Sequence, residues 1–434
     1  MSIIQFLRNI IPERSPVRLA YHKLCAIAVT IWYRFPSQRL KVIAVTGTSG
    51  KSSTVTMIQS LLRACGKKVG SISTIQINID DQVLPNQSLR TTLRPSETQK
   101  LLRKMVSQKC EYAVIEVSSH AIDQNRLWGI AIDTVVLTNI SDHEHLDYHE
   151  NFSDYIRTKK KLFQSLNAQY RKPNVDKTII LNADDQHFAY FNEVLSDKKW
   201  TYARKKNGNI KSSDTEYTNK NTSFTLNLPN NVLRATSPFI GAYNLENTLA
   251  AITVCVSEGI APETIANSLQ KMGKIPGRLE YIQGNLPTDP TVIVDFSYKP
   301  SSFAVLFDTL RKLTNGRIVV VWGGAGGRAP ENWHESAKIL DANADEIILT
   351  TDDPGNIPPK DIATEIKKYI NRTEGDRFFD IPDRYEAIRY AILTAEPNDL
   401  VLIAGRGHEA IQKIGKVEIP FDDRVIAKEI LDNN

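Results

Sequence analysis

The sequence predicts an α/β protein with two mostly parallel sheets, and three observations support this class. Short apolar runs typical of buried strands alternate with helix-length stretches from residue 41 onward. The same alternation starts again after the Pro-Gly pair at 276–277. The chain of 434 residues is too long for one ordinary domain core, and its 41% hydrophobic and 24% charged content excludes a disordered or fibrous protein.

The predicted strands follow in chain order. The first strand, residues 41–45, leads through a turn at 46–51 into a helical stretch at 52–65 that Gly66 ends. Residues 198–236 are polar with β-forming character, which predicts an antiparallel addition to the first sheet. The other predicted strands are 112–117, 134–138 and 178–181 in the first sheet, and 292–295, 318–322, 346–350 and 400–403 in the second.

The first 41 residues differ in charge from the rest. They hold seven basic side chains and one acidic one, so of the net charge of +5 this segment supplies +6 and the remaining chain −1. Its apolar run at 24–33 ends with Trp32 and Tyr33. Such a segment suits a helix on a membrane surface, and equally a helix packed on the protein body. The neutral body has no basic stripe, so no nucleic-acid partner is expected.

Other sequence features predict a soluble, cytoplasmic protein. The four cysteines are scattered singly, and no histidine cluster has zinc spacing, so neither a disulfide framework nor a structural zinc site is expected. No apolar run approaches the roughly 20 residues of a membrane-spanning helix. The N-terminus lacks the pattern of a cleavable secretory signal.

A phosphate-binding loop is predicted between the first strand and helix, and it would make the first domain a central P-loop ATPase domain. Its amides can point at phosphates, Lys51 can reach the β- and γ-phosphates, and the Ser52 hydroxyl can ligate Mg²⁺. The usual pattern has glycine where this chain has Val45. A plain strand-to-helix turn is the alternative, although the flanking elements favour ATP. The candidate residues are Gly47, Thr48, Ser49, Gly50, Lys51, Ser52 and Ser53.

Two further strand ends carry polar groups that suit a metal. Glu116 ends one strand, and a string with several histidines at 138–149 follows another. Ligands of open α/β sheets bind at these ends, where carboxylate, hydroxyl and imidazole groups suit Mg²⁺ or Mn²⁺ beside phosphate oxygens. A solvated loop or a zinc site is the alternative for the histidines.

In this order, the motifs resemble those of the Mur ligases, most closely the MurE type, which adds the third residue to UDP-N-acetylmuramoyl-L-Ala-D-Glu. The resemblance extends over about residues 41–424. Its strings are GTSGKSS at 47–53, TT at 91–92, EVSSHAIDQNR at 116–126, TNISDHEHLDYH at 138–149, YIRTKKKLF at 155–163, LNADD at 181–185, GAYNLENTLAA at 241–251, PGRLE at 276–280, VWGGAGGR at 321–328, TDDP at 351–354, GRGHE at 405–409 and FDDR at 421–424.

The resemblance implies ATP-driven amide formation. The acceptor carboxylate attacks the γ-phosphate, and an incoming amine displaces the resulting acyl phosphate, so catalysis is mainly positioning and electrostatics. It implies ATP and Mg²⁺ as cofactors, a muramoyl-dipeptide acceptor, a small amino acid substrate, and a role in peptidoglycan biosynthesis, cell wall biogenesis, cell shape and cell division. It also implies a monomer with a short segment at 1–40, an ATP-binding domain at 41–277 and a Rossmann-like, amino-acid-binding domain at 278–434.

The resemblance also implies residue roles. Lys51 and Ser52 handle phosphates and the first Mg²⁺, Glu116 bridges to metal, His145 ligates a second Mg²⁺, and Lys159 is carbamylated. An exposed basic helix face is the alternative for Lys159. The ATP set adds Asn247 at the adenine, Asp295 at the ribose and Arg278 towards the phosphates. The acceptor set is Thr91, Thr92, Ser118, Gln124 and Arg126, and the amino-acid set is Arg328, Asp352, Asp353, Gly405 and Glu409.

Two departures from the family pattern affect the substrates. Only about 40 residues precede the first strand, where the family has a UDP-binding domain, so the uridine end is unheld or the acceptor differs, for instance by being lipid-linked. The DNPR string, whose arginine grips the distal carboxylate of meso-diaminopimelate, reads DDPG at 352–355. This change predicts L-lysine or another basic amino acid as substrate.

Two alternatives stay open at this point. One is another amide ligase of the superfamily, such as a folylpolyglutamate synthetase or the Mur-like subunit of a lipid II amidating complex. The EVSSH and GRGHE strings favour the MurE type, and the absence of a four-cysteine zinc ribbon in the sequence disfavours the amidating subunit. The other is a non-catalytic ATP-binding scaffold of wall synthesis, which the intact phosphate and metal groups disfavour.

Overall fold

The computed structural model describes residues 12–86, 88, 90–141, 148–286 and 288–433. The chain divides into two compact units. The central unit comprises Met1–Glu216, Ser223–Pro238 and Tyr243–Gly273, and the C-terminal unit comprises Tyr217–Thr222, Phe239–Ala242 and Lys274–Asn434.

The central unit is a large sheet flanked by helices. Its strands are β1 Lys41–Thr46, β2 Val69–Ile72, β3 Gln76–Ile79, β4 Gln82–Pro85, β5 Tyr112–Glu116, β6 Thr134–Leu137, β7 Thr178–Asn182, β8 Lys198–Ala203, β9 Ile210–Tyr217, β10 Thr222–Leu228 and β11 Asn231–Ser237. Its helices are α1 Pro16–Trp32, α2 Lys51–Ala64, α3 Pro95–Ser107, α4 Ser119–Asp123, α5 Phe152–Ser165, α6 Phe188–Asn192, α7 Ala242–Ser257 and α8 Pro262–Leu269, with 3₁₀ turns at Pro36–Arg39 and Leu166–Ala168.

Strand β1 lies inside this sheet, whose order over the described residues is β11-β10-β9-β8-β7-β6-β1-β5-β2-β3-β4. It pairs in parallel with β5 and β6, so Val45 lies opposite Glu116 and Thr46 opposite Leu137. The loops after these three strands therefore meet at one edge, the usual ligand edge of an open α/β sheet.

The predicted parallel sheet is confirmed, with one correction. Strand β8 pairs in parallel with β7 from Thr178↔Lys198 to Asn182↔Tyr202. Strand β9 pairs in parallel with β8 in turn, with Tyr202 opposite Ile210 and Ala203 opposite Lys211. The prediction that an antiparallel addition starts at residue 198 is therefore wrong for 198–203 and for the start of β9. Strand β8 is polar because its first two residues are exposed, and exposure rather than strand direction determines its composition.

The C-terminal unit is a smaller α/β layer. Its strands are β12 Glu280–Ile282, β13 Thr291–Asp295, β14 Ile318–Trp322, β15 Glu346–Leu349, β16 Phe378–Asp380, β17 Leu400–Ala404, β18 Ile411–Ile414 and β19 Val417–Pro420. Its helices are α9 Pro300–Leu310, α10 Pro330–Asn343, α11 Pro359–Lys367, α12 Arg384–Thr394 and α13 Asp423–Asp432. The sheet order is β12-β13-β17-β14-β15-β16, parallel from β13 to β16 with β12 antiparallel at the edge, and β18 and β19 form a separate hairpin.

Helix α1 packs on the central unit, as one of its two predicted interpretations requires. The Gln99 amide of α3 donates to the buried Thr30 hydroxyl at 3.0 Å, and this hydroxyl donates to the Trp128 carbonyl at 3.2 Å. Ahead of the helix, Arg14 donates to Asp123 at 3.1 Å and forms an ion pair with Asp154. Over the described residues, no helix combines the length and the apolar character needed to cross a membrane.

Candidate active site

The phosphate-binding loop joins β1 to α2 at the sheet edge. Gly50 has φ +77° and is the N-cap of α2 without a capping side chain, which leaves the first-turn amides of this helix to a ligand. A Cβ on Gly50 would lie 2.5 Å from Asn247 Oδ1, and one on Gly47 would lie 1.9 Å from Thr138 Oγ1. Only glycine fits at these positions, and the loop therefore has the geometry of an anion cradle.

Lys51 and the loop hydroxyls are held by neighbouring groups. Lys51 Nζ donates to the Thr48 carbonyl at 2.8 Å, and the Thr48 hydroxyl lies 2.8 Å from the Tyr155 hydroxyl. Asn247 packs on the loop, where its Oδ1 accepts from Thr54 at 3.1 Å. The predicted ATP residues of the central unit, including Asn247 from a distant helix, thus converge on one loop.

Glu116 and Ser52 form the metal-type part of this site. Ser52 Oγ lies 3.0 and 2.9 Å from the two Glu116 carboxylate oxygens, and Thr74 donates to one of them from its amide at 2.7 Å and its hydroxyl at 2.9 Å. Glu116 is buried, and Ser52 and Thr74, which donate to it, are neutral residues. A buried carboxylate beside hydroxyls and an anion cradle fits Mg²⁺, which prefers oxygen ligands.

Lys159 reaches this loop from α5. Its side chain is 1% exposed, its Nζ donates to the Gly47 carbonyl at 2.8 Å, and it lies 4.8 Å from the Tyr155 ring centroid. The interpretation as an exposed basic helix face is therefore wrong for Lys159, whereas Lys161 of the same run is half exposed.

His145 falls in residues 142–147, outside the described part of the chain. Among the described residues, no group of three or more His, Cys, Asp or Glu side chains is arranged to hold a metal ion. The prediction for His145 stays a prediction.

Four of the five predicted acceptor residues lie together. The Thr92 hydroxyl donates to the Glu116 carbonyl at 3.0 Å and accepts from the Ser118 amide at 2.9 Å. The Arg126 guanidinium donates to the Thr92 carbonyl at 2.9 Å and to Gln124 Oε1 at 2.6 and 3.0 Å. Thr91 precedes Thr92 in the chain and is partly exposed.

The charge around Arg126 is positive. Burial, and then the neighbouring charge of Arg90, lower the pKa of Arg126. The Thr92 carbonyl and Gln124 Oε1, which accept its hydrogen bonds, are neutral oxygens and do not compensate its charge. This environment suits a carboxylate ligand.

In the C-terminal unit, Arg278 and Asp295 are brought together with His408. The Arg278 guanidinium lies 4.6 Å from the Phe296 ring centroid, and Asp295 Oδ2 accepts from the Leu279 amide at 2.7 Å. Burial raises the pKa of Asp295, while Arg278 opposes this shift. Burial and then Arg278 lower the pKa of His408 to about 3, so this imidazole is neutral at pH 7.

A second group of the C-terminal unit contains the predicted amino-acid residues. Asp352 lies against Gly405, where a Cβ would be 2.2 Å from Asp352 Oδ2. Burial, despite Arg384 and Arg406, raises the pKa of Asp352 to about 6. Burial and the charges of Asp352 and Asp353 raise the pKa of Glu409 to about 7.

Two arginines organise this carboxylate group. Arg406 has a fully buried side chain and forms an ion pair with Asp353, which also accepts from the Lys413 amide at 2.9 Å. Arg384 donates to the buried Asp423 at 2.8 Å from two nitrogens. Arg328, the last predicted member, lies over the Tyr298 ring at 4.3 Å.

Sequence reasoning missed several of these groups. Thr74 donates to Glu116 from a turn between two short strands, where no sequence motif marks it as a site residue. Tyr155 begins the YIRTKKKLF string without an assigned role, although its hydroxyl contacts the Thr48 hydroxyl of the loop. Arg406 and His408 stand inside the GRGHE string, and their position beside the assigned Gly405 and Glu409 was the available signal.

Two family models match the chain. The Mur ligase middle domain matches residues 45–255, and the Mur ligase, glutamate ligase domain matches residues 277–407. The chain belongs to the Mur ligase family. The predicted α/β fold and the resemblance to the MurE type are therefore confirmed.

Individual relatives agree with this family. A UDP-N-acetylmuramoyl-L-alanyl-D-glutamate--2,6-diaminopimelate ligase of Geobacillus kaustophilus is 35% identical over 405 residues, covering 93% of this chain and 81% of the relative. A solved structure of a ligase of the same name is 29% identical with a TM-score of 0.65, covering 91% of this chain and 78% of its own. Mur ligases are ATP-dependent amide ligases that use Mg²⁺, so the predicted enzyme class is confirmed.

A structural likeness also extends to one of the alternatives. The folylpolyglutamate synthase of Mycobacterium tuberculosis has a TM-score of 0.68, covering 88% of this chain and 91% of that one. Its identity of 17% shows the shared fold alone. The sequence likeness therefore favours the muramoyl-peptide ligases over the folylpolyglutamate alternative.

Proposed function

We propose that this Mur ligase joins an amino acid to the D-glutamyl carboxylate of a muramoyl-L-Ala-D-Glu peptide, in the synthesis of peptidoglycan. The observation that carries this proposal is the Glu116–Ser52 pair beside the glycine cradle, in a chain 35% identical to a ligase named for that acceptor. A phosphate cradle, a buried carboxylate and a cationic acceptor group are the parts that acyl phosphate formation needs.

The central site supplies charge and position. The amides of Gly47, Thr48, Ser49, Gly50, Ser52 and Ser53 and the ammonium of Lys51 hold the phosphates of ATP, with Asn247 on the adenine side. Ser52, Glu116 and His145 hold Mg²⁺, which neutralises phosphate charge when bound. The proposed roles of Arg278 and Asp295, in the C-terminal unit, are contacts with the phosphates and the ribose of ATP respectively.

Lys159 is the residue for which we propose carbamylation, in which its amine adds CO₂ and releases a proton. Its support is the burial of its Nζ beside the Gly47 carbonyl rather than on the helix surface. ¹³C-bicarbonate should label a carbamate in the wild type and leave a Lys159→Arg variant unlabelled; labelling of both would contradict the assignment.

Arg126 is the proposed anchor for a carboxylate of the acceptor, with Thr91, Thr92, Ser118 and Gln124 as its hydrogen-bonding neighbours. Its positive surroundings and neutral partners support this role. The proposed domains are the segment 1–40, the ATP-binding domain 41–277 and the amino-acid domain 278–434. We propose a monomer in the cytoplasm.

The proposed amino acid is L-lysine, held by Asp352, Glu409, Gly405 and Arg328. Asp353 is already neutralised by Arg406, so it does not act as a free acid for an ammonium group. Support therefore comes from Gly355, which stands where an arginine would grip a second carboxylate, and from the raised pKa values of Asp352 and Glu409, which an ammonium group would offset. Relatives of this chain are named for 2,6-diaminopimelate, the competing substrate.

Phosphate release tests the proposal directly. The purified chain receives ATP, Mg²⁺ and UDP-N-acetylmuramoyl-L-Ala-D-Glu, with L-lysine, meso-diaminopimelate, L-ornithine or no amino acid. Release that needs both the acceptor and L-lysine is the expected result, and it should vanish in a Lys51→Ala variant. Release with meso-diaminopimelate alone would replace the lysine assignment, and silence with every amino acid would contradict the proposed reaction with this acceptor.

A further inference from the structure

Helix α1 presents a continuous apolar face to solvent. Val17, Tyr21, Leu24, Ile31 and Trp32 are 70%, 51%, 64%, 57% and 80% exposed. Their spacing places them on one side of an α-helix, where Ala20 and Ala28 are exposed as well. We call this surface the α1 face. Single exposed apolar residues are ordinary, whereas a stripe along a whole helix marks an interaction site.

The opposite side of α1 is the one that attaches it to the protein. Ala26 and Thr30 are buried, and Thr30 is hydrogen-bonded to Gln99 and to the Trp128 carbonyl. A side chain added at Gly129 would lie 2.5 Å from Thr30 Cγ2, so the helix and the 125–131 turn are in close contact. The α1 face is therefore the outer side of a helix that already has its core contacts.

Positive charge accompanies the α1 face. Lys23, Arg34 and Arg39 are exposed on the N-terminal segment. Helix α3 packs beside α1 and adds the exposed Lys100 and Arg103. An apolar stripe next to basic side chains, with a tryptophan near its end, is complementary to the apolar interior and the anionic headgroups of a lipid surface.

We infer that the α1 face docks this protein on a membrane surface that carries anionic lipids, with α1 lying in the plane of the interface. The face has the width of one helix and no groove, so it suits insertion into a fluid layer. A second copy on the same face would bring Lys23, Lys100 and Arg103 towards their own counterparts, and like charges disfavour such a symmetric contact. The inference is independent of the proposed ligase reaction.

Vesicle sedimentation tests it with the full chain and without ATP or acceptor. The probes are phosphatidylcholine vesicles with and without phosphatidylglycerol. Binding should be about tenfold stronger with phosphatidylglycerol and should weaken with added salt, since salt screens the basic side chains.

Two kinds of variant make the test specific to the α1 face. A Leu24→Glu/Ile31→Glu variant should lose about tenfold or more in vesicle binding, because two carboxylates enter the apolar stripe. Leu195→Glu is the matched control, because Leu195 is 78% exposed in the same unit but away from α1, and it should bind as the wild type does. Lys23→Gln/Arg103→Gln should reduce only the preference for phosphatidylglycerol, and this variant leaves the apolar packing of α1 untouched.

Three results would overturn the inference. The first is a wild type that sediments with neither vesicle. The second is equal binding by the wild type and the Leu24→Glu/Ile31→Glu variant. The third is a concentration-dependent dimer that this variant abolishes, which would assign the α1 face to a second copy of the chain.

Discussion

The carboxylates of the two units are held in opposite ways. In the central unit, Glu116 is buried among the hydroxyls and the amide of neutral residues. In the C-terminal unit, Asp352 and Glu409 lie in a network that contains the buried guanidinium groups of Arg384 and Arg406. The hydrogen-bond donors to Glu116 named above are neutral, whereas the C-terminal site brings several charges of both signs together.

This difference determines which charged groups each site can offer to a ligand. Ser52 and Thr74 orient the Glu116 carboxylate through neutral donors, an arrangement that suits a cation beside the phosphate cradle. The arginines pair with Asp353 and Asp423, and burial raises the pKa of Asp352 to about 6 and that of Glu409 to about 7. Folding and ligand binding should therefore separate in the central unit and be coupled in the C-terminal unit.

The largest expected effect is on the folding of the C-terminal unit. Arg384→Met removes both hydrogen bonds that Arg384 donates to the buried Asp423 and leaves this carboxylate only the contact with Arg406 at 3.9 Å. The free energy of unfolding should fall by about 3–5 kcal/mol, because a buried charge loses its hydrogen-bonded partner. Urea unfolding measures the loss. Arg389→Met, which breaks an exposed pair with Glu386 on the same helix, should cost less than about 1 kcal/mol, and equal losses would contradict the account.

The central unit should show the reverse behaviour with Glu116→Gln. The amide oxygen can still accept from Ser52 and Thr74, so the unfolding midpoint in urea should stay close to that of the wild type. Turnover should fall by about 10²–10³, since the charge that faces Mg²⁺ is lost. Phosphate release across a Mg²⁺ titration measures it. Wild-type turnover in this variant would show that Glu116 has a structural role only.

Glu409→Gln should act on amino-acid binding. The KM for the amino acid should rise about 10- to 100-fold, while the KM for ATP stays unchanged, because Glu409 is one of the residues proposed to hold the amino acid. Initial rates at varied amino acid and varied ATP separate the two constants. An equal rise of both constants would indicate a general distortion of the unit.

The same residue predicts a pH dependence of stability. Glu409 has a pKa of about 7 in the folded protein against an ordinary value of 4.5, so the folded state holds its proton more tightly. Its contribution to stability is complete below pH 4.5 and is lost as the pH rises through 7. The urea midpoint should therefore fall less between pH 5 and 8 in Glu409→Gln than in the wild type. Identical slopes would contradict the raised pKa.

The smallest expected effect concerns the Asp123 and Asp154 carboxylates of the central unit, which form ion pairs with Arg14. Arg14 bridges Asp123 and Asp154, and although burial opposes it, hydrogen bonding from Arg14 lowers the pKa of Asp154. Arg14→Gln should cost about 1 kcal/mol and expose the segment before α1 to protease. Arg18→Gln, whose partner Glu13 is largely exposed, is the control, and equal protease sensitivity of both would count against the bridge.

The long apolar strands were predictable within one residue at each end. Strands β1, β5, β14 and β17 are buried along nearly their whole length, and burial on both faces requires the continuous apolar runs that the sequence shows. Strand β4 escaped prediction because it is the edge strand of the sheet and its positions are largely exposed, so they impose no apolar pattern. Strand β3 is mostly buried, but it is only four residues long and half of them are polar, which gives no clear strand signal.

The residues of the candidate site also differ in how far they could be predicted from the sequence. The glycines, Lys51 and Ser52 follow one another in a single loop, so their joint role is visible in the sequence. Asn247 and Lys159 come from helices far along the chain, and only the resemblance to a family assigned them before the structure placed both at that loop.

The sequence by itself determined the α/β class, the phosphate-binding loop and the family, because each depends on local periodicity or on residues in one short string. Tertiary structure alone decided that Lys159 is buried, that Thr74 supports Glu116, that Arg406 neutralises Asp353 and that α1 turns an apolar face outward. These four facts depend on burial and on the distances between charges, which are set only when residues remote in the chain pack against one another.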